Sequence, residues 1–133
     1  MISFTIPLKP ISKKNSQQIL INRATGKPFI MPSKQYKQYE KDAMHFIPRC
    51  IGDIIDYPVN VKCLFYMPTR RNVDLTNLLE AIDDILVKAG LLQDDHSGIV
   101  AGHDGSRVLY DKENPRTEVN IEPICARRMY DEE

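Results

Sequence analysis

The nine residues VNVKCLFYM, Val59 to Met67, alternate so that Val59, Val61, Cys63 and Phe65 share one face. A period of two marks a half-buried strand, and Pro68 closes it because proline cannot continue the ladder. A few residues later the period changes. Leu75, Leu78, Leu79, Ile82, Ile85, Leu86 and Ala89 fall within an arc of roughly 120° at 100° per residue. This predicts a helix over roughly 75–89, stopped by Gly90. A strand with one apolar face followed by a helix with one apolar stripe leaves few arrangements, because each face has to cover the other.

The flanking sequence fills in the elements. Ile2, Phe4, Ile6 and Leu8 alternate inward in ISFTIPL, a second half-buried strand, and the basic loop KPISKKN follows it. QILIN and KPFIM flank a turn at ATGK and predict a hairpin. From Ser33, a capping residue, Tyr36, Tyr39, Ala43, Phe46 and Ile47 recur at helical spacing as far as Pro48. Ile99–Ala101 reads as a short strand. SRVLYDKENPRTEVNIEPI reads as a hairpin turning near Asn114–Pro115, with Val119 and Ile121 facing in, and the tail CARRMYDEE as frayed. At 133 residues the chain is long enough for one real core. The expectation is a single small α+β domain over 1–133, a mixed β-sheet with two main helices and hairpins.

Charge is distributed unevenly. Residues 1–50 carry nine Lys/Arg against two acids and residues 51–133 nine against sixteen, so a net of zero hides +7 and −7. Such halves can simply attract each other, or form a basic surface for a polyanion beside an acidic pocket for a cation. The stretch RNVDLTNLLEAIDDILVKAGLLQDDHSGI alone holds six of the eighteen acids. Crowded carboxylates repel one another and gain nothing in a core. Either they lie on a solvated face, with Asn77, Glu80, Asp84 and Lys88 opposite the apolar arc, or they hold a cation. Asp74 at the helix start and Asp94–Asp95 beyond Gly90 come from separate elements, and an antiparallel return of the chain would bring them together as a Mg²⁺ site.

Other chemistries find little support. There is no Gly-rich phosphate loop, HExxH or nucleophile elbow. Cys50, Cys63 and Cys125 lie far apart, without CxxC, which argues against zinc and for reduced thiols in a cytoplasm. Each reads as a small core residue. No apolar run spans a bilayer and MISFTIPLKP lacks the pattern of a signal peptide. His96, beside the acid pair, is a loop residue or a proton carrier. His45 flanks the first helix core and His103 falls in a turn with Asp104–Gly105. Tyr36, Tyr39, Phe46 and Phe65 read as core.

Over roughly residues 61–122 the chain resembles the RusA-type Holliday junction resolvases. The family pattern is a basic stretch, Asp-x-Asp-Asn, a lysine, a helix aspartate, Gly and Asp-Asp. Arg70 and Arg71 match the basic stretch, Asp74 the first aspartate, Asn77 the asparagine, Asp84 the helix aspartate, Gly90 the stop and Asp94–Asp95 the closing pair. The Lys13–Lys14–Asn15 loop looks like the polar loop after the family's first strand. Two positions depart, with Thr76 in place of the second aspartate and Glu80 in place of the lysine.

The resemblance implies a homodimeric, Mg²⁺-dependent endonuclease acting on four-way DNA junctions, with Mn²⁺ as a substitute. In it Asp74 and Asp95 are metal ligands, Asp94 a ligand or its support, and Thr76 a ligand through its hydroxyl. Asn77, Glu80 and Asp84 stand behind them, and Lys13, Lys14, Arg70 and Arg71 contact phosphates. Lys34, Lys37 and Lys41 share one side of the first helix and extend that surface. The departures leave open a DNA-binding protein of the same fold with impaired cleavage, or a metal-free interaction module.

Overall fold

The computed structural model describes residues 1–13, 17–48 and 54–124. Lys14, Asn15, Cys50, Cys125 and the C-terminal tail lie outside the described residues. Seven strands and two α-helices follow one another as β1 Ile2–Ile6, β2 Gln17–Ile21, β3 Pro28–Pro32, α1 Lys34–Ala43, β4 Val59–Met67, α2 Leu75–Lys88, β5 Val100–Gly102, β6 Arg107–Tyr110 and β7 Arg116–Pro123. A short 3₁₀ turn, Met44–Phe46, extends α1.

β4 is the axis of the main sheet. β7 runs antiparallel along one edge of it, and β1 lies antiparallel outside β7. The other edge of β4 is shared by two short parallel strands, β5 at its start and β6 at its end. The register aligns inward residues into rows: Ile2–Ile121–Val61, Phe4–Val119–Cys63 and Ile6–Thr117–Phe65. Along β4, Val59, Val61, Cys63, Phe65 and Met67 are buried while Asn60, Lys62, Leu64 and Tyr66 alternate with them. That alternation is the period of two made physical, and it forces both helices onto one face of the sheet. Tyr36, Tyr39 and Ala43 from α1 and Leu78, Ala81, Ile82, Ile85 and Leu86 from α2 join the strand residues in one core. Cys63 sits fully inside it, where burial pushes its thiol well above the usual range.

The helix boundaries follow capping chemistry. The Ser33 hydroxyl accepts from the Tyr36 amide at 3.1 Å, which caps α1. At the other end of α2, Gly90 has φ +80, a conformation that costs a side-chain-bearing residue energy. The Leu91 amide then reaches back to the Leu86 carbonyl at 3.1 Å and closes the helix.

Two expectations are corrected. SRVLYDKENPRTEVNIEPI is not a hairpin, because β6 and β7 both pair with β4, on opposite edges, and not with each other. Residues 111–115 instead carry the chain across the end of β4. Pairing both edges of the most buried strand satisfies both rows of its backbone polar groups, which an edge strand would leave unpaired. The crossing is fastened by Arg116, whose guanidinium donates to Asp111, to the Asn114 carbonyl and to Glu118. Phe46 is not core but 42% exposed, since the backbone tightens to 3₁₀ at Met44 and rotates it outward. His45 is exposed on the same turn. The QILIN–KPFIM hairpin does form, as β2 and β3, with Gly26 at φ +70 in the turn.

Candidate active site

The loop that leaves β4 delivers Arg70, Arg71 and Asp74 in succession to the start of α2. Asp74 is the N-cap. Its Oδ1 accepts from the Thr76 amide at 3.0 Å and from the Thr76 hydroxyl. The position Thr76 takes from an aspartate in the family pattern is therefore used to hold the Asp74 carboxylate. Arg71 is exposed. Arg70 lies over the ring of Tyr110, its guanidinium carbon 4.2 Å from the centroid.

The acid pair is positioned from the other end of the helix. Leu91 and Leu92 are buried, and Ile55 fastens that segment by donating to the Leu91 carbonyl and accepting from the Gln93 amide, both at 2.9 Å. Asp94 and Asp95 follow on an exposed loop, with Asp94 Oδ1 accepting from the Asp95 amide at 2.7 Å. His96 is exposed beside them and accepts from the Gly98 amide at 3.0 Å through Nδ1. The loop returns along α2 far enough for Asp95, with Glu80, to act electrostatically on Asp83 in the middle of the helix.

Asp83 carried no role in the sequence analysis. It is only 8% exposed, at the margin of the apolar arc, in line with Thr76 and Glu80 on the same flank. Its Oδ2 lies 2.8 Å from His103 Nε2, and the other ring nitrogen lies 2.8 Å from the Val61 carbonyl. A carbonyl only accepts, so Nδ1 carries a proton, and a second proton sits between Nε2 and the carboxylate. Asp83 Oδ1 is buried without a partner among the described residues. Burial raises the Asp83 carboxyl above its usual range, the bond to His103 opposes this, and Asp95 and Glu80 add to the rise. His103 is also raised, first by that hydrogen bond, against the opposing effect of its own burial. His103 is thus not a free turn residue but ties the end of β5 to β4 and α2. An acid at the edge of an apolar stripe was the available signal; its histidine partner, twenty residues on, had none.

Asp84, the next residue, faces elsewhere. Its Oδ2 pairs with Lys13 at 3.2 Å and Lys88 at 3.3 Å, and Lys88 also reaches Glu40 at 3.1 Å. This network joins α2 to α1 and to the loop after β1. Asn77 is half-buried in the first turns of α2, and Lys34, Lys37 and Lys41 are exposed on α1. Leu75, Leu79 and Ala89, placed in the core arc, are half-buried, and Ala81 takes a core position instead. Tyr36, Tyr39 and Phe65 are core, with burial pushing the Tyr39 phenol up to about 12.

The carboxylates around α2 offer oxygen donors, which suit a hard cation. Among the described residues no three His, Cys, Asp or Glu side chains gather closely enough to form a protein cage for a metal. A Mg²⁺ ion bound by one or two carboxylates, with waters and a substrate phosphate completing its shell, needs no such cage. A cavity of about 760 Å³ lies elsewhere, at Asn60, Lys62, Asp104, Asn120 and Glu122 on the sheet face that the helices leave open. No described helix is long and apolar enough to cross a membrane.

Two comparisons bear on this arrangement. The family model for Endodeoxyribonuclease RusA matches residues 7–122. Over 45 residues the chain is 38% identical to the crossover junction endodeoxyribonuclease RusA of Aquifex aeolicus (strain VF5), a match covering 34% of this chain and 36% of that relative.

Proposed function

The chain belongs to the endodeoxyribonuclease RusA family, and from that premise we propose that it is a divalent-metal-dependent endonuclease that binds and cleaves four-way DNA junctions. The observation that carries the reading is the β4–α2 passage, where two arginines on one loop lead directly into the capping carboxylate Asp74. Positive charge draws the phosphate backbone to the helix start, and the helix's own dipole adds to the attraction. The Asp74 carboxylate that caps the helix repels a phosphate in the same place, and a cation bound between the two would remove that repulsion.

Asp74, Asp94 and Asp95 are the carboxylates we assign to a bound Mg²⁺, with Mn²⁺ as a substitute and the Thr76 hydroxyl as a neutral supplement. When bound, the ion supplies charge neutralisation at the scissile phosphate and acidifies a coordinated water. The chain's own residues do the rest. Arg70, Arg71 and Lys13 hold the flanking phosphates, and Lys13 can exchange its pairing with Asp84 for one with DNA. Asn77 lies about one turn from Asp74 and Glu80 nearly two turns from it, and both set the polarity around it. An isologous homodimer would present two such sites to the near two-fold axis of a junction.

A second reading has one observation in its favour. Thr76 brings no charge and occupies an oxygen of Asp74 through its hydroxyl, which weakens a hard-cation site. On that reading the chain binds junctions without cutting them. Incubating a labelled four-way junction with the protein in Mg²⁺ and in EDTA separates the two. Cleavage confined to the Mg²⁺ arm supports the nuclease, binding without cleavage supports the second reading, and no preference for the junction over linear duplex rejects both.

A further inference from the structure

The Arg70–Tyr110 stack forms one wall of a cleft of about 530 Å³, lined by Thr69, Arg70, Asn72 and Val73 on the loop and by Val108 and Tyr110 on β6. Its place follows from the sheet. β4 and β6 are parallel and in register, Phe65 with Val108 and Met67 with Tyr110. Both strands therefore end at the same level, and the loop to α2 folds over their carboxyl ends, the end at which parallel strands present ligands. Tyr110 continues the row of Met67, with the Arg70 guanidinium over one face of its ring, and it is 40% exposed. Val73, which also lines the cleft, is the immediate neighbour of Asp74.

Arg116 and Tyr66 make the instructive contrast. That guanidinium also lies over a ring, at 3.7 Å, but two carboxylates, Asp111 and Glu118, use its donors. It is a fastened structural group. Among the described residues Arg70 has no carboxylate within 4 Å and no hydrogen-bond partner, so only the ring holds its plane. A guanidinium stacked on tyrosine with its donors unused is a flat, cationic surface suited to the π-face of a base and a phosphate beside it. The Asn72 side chain is exposed, and its amide can donate to and accept from a base edge.

We propose that this cleft receives a single unstacked nucleobase from the branch point of the DNA, with Tyr110 and Arg70 as its stacking platform, making Tyr110 a specificity-determining residue. The inference rests on the junction-binding function proposed above and adds the source of its selectivity. A base inside continuous duplex must be extracted at a cost of a few kcal/mol, whereas a base at a branch is already the least stacked. The platform therefore rewards branched DNA and leaves linear duplex to the phosphate contacts alone.

The test uses a four-way junction with 2-aminopurine at the branch point, and a linear duplex of the same sequence. Wild-type protein should change the probe's fluorescence on the junction and not on the duplex. Tyr110→Ala should abolish that change and weaken junction binding by about 5- to 150-fold, the worth of one stacked base, while duplex affinity moves less than about twofold. Tyr110→Phe and Tyr110→Trp should restore both readouts. An unchanged fluorescence response in Tyr110→Ala, or equal losses on junction and duplex, overturns the cleft while the nuclease reading stands. Wild-type protein indifferent to the junction overturns the proposed function and the cleft with it.

Discussion

Replacing His103 by alanine tests how α2 is held against the sheet. The substitution removes the donor to Asp83 Oδ2 and strands a carboxylate whose Oδ1 already lacks a partner among the described residues. It also takes a donor from the Val61 carbonyl. Breaking a buried pair by removing one partner costs about 3–5 kcal/mol. The side chains here are 24% and 12% exposed, so some solvation survives and a loss of about 2–3 kcal/mol is expected near neutral pH. Asp83→Leu removes the charge that made the histidine necessary and widens an apolar arc already present, so it should lie within about 1 kcal/mol of wild type. The double variant should recover at least about 1 kcal/mol of the His103→Ala loss, since the two residues act as a unit.

Urea unfolding in EDTA measures this, and with a slope of about 2 kcal/mol/M the single variant's midpoint should fall by roughly 1–1.5 M. The pair's dependence on pH has a fixed sign. Both groups are raised on folding, so the folded state binds the shared proton more tightly than the unfolded chain. The imidazolium's contribution is complete below the unfolded histidine value of about 6.5 and is lost as pH rises through the folded one. Asp83's unfavourable charge grows in the same direction, from about 3.9 upward. Wild type should therefore lose more stability between pH 5.5 and 8.5 than the double variant does. A His103→Ala loss under about 0.5 kcal/mol, or one undiminished in the double variant, would refute the pairing as a clamp.

The remaining expectations concern the site. Asp74→Asn should abolish junction cleavage with binding intact and change stability by less than about 0.5 kcal/mol, because asparagine caps a helix as well as aspartate; Asp95→Asn should act likewise, and cleavage retained in both variants would place the chemistry elsewhere. Thr76→Asp should lower the Mg²⁺ concentration needed for half-maximal cleavage, and if Glu80 supplies the missing charge, Glu80→Gln should cost far more activity in wild type than in the Thr76→Asp background. Strictly additive rates in that cycle would leave Glu80 without a share in the site. Asp84→Asn frees Lys13 and Lys88 from a partly exposed carboxylate, so junction affinity at low salt should rise while the unfolding midpoint barely shifts, and unchanged affinity would remove Lys13 from the DNA surface.

What the sequence disclosed was what local periodicity encodes. The inward alternation of β4, the Ser33 cap, the apolar arc of α2 and the Gly90 stop each depend on residues within a turn or two, and each is present. Pairing between distant segments was less legible. SRVLY and TEVNI stand a few residues apart and read as a hairpin, yet β4 lies between them because its two edges both need partners. The missed Asp83–His103 pair has the same origin. An aspartate beside an apolar stripe looks like one more solvated acid until a histidine from another element closes on it.

That pair also separates two uses of acidity on α2 that the composition alone runs together. Asp84 on one flank is neutralised by Lys13 and Lys88, and Asp83 shares a proton with His103. Each of these carboxylates is matched by a specific cation donor within the chain, and each joins α2 to something else. Asp94 and Asp95 are different in kind: both are exposed, and Asp94 spends an oxygen on its neighbour's amide. Asp74 spends one on a helix cap. Neither use neutralises charge. The acids matched by bases here are therefore structural ones, whereas Asp74 spends its oxygen on a helix cap directly after the loop that carries Arg70 and Arg71. A phosphate brought to that loop meets the Asp74 carboxylate at the helix start, and on the function proposed above a metal ion between the two anions reconciles them.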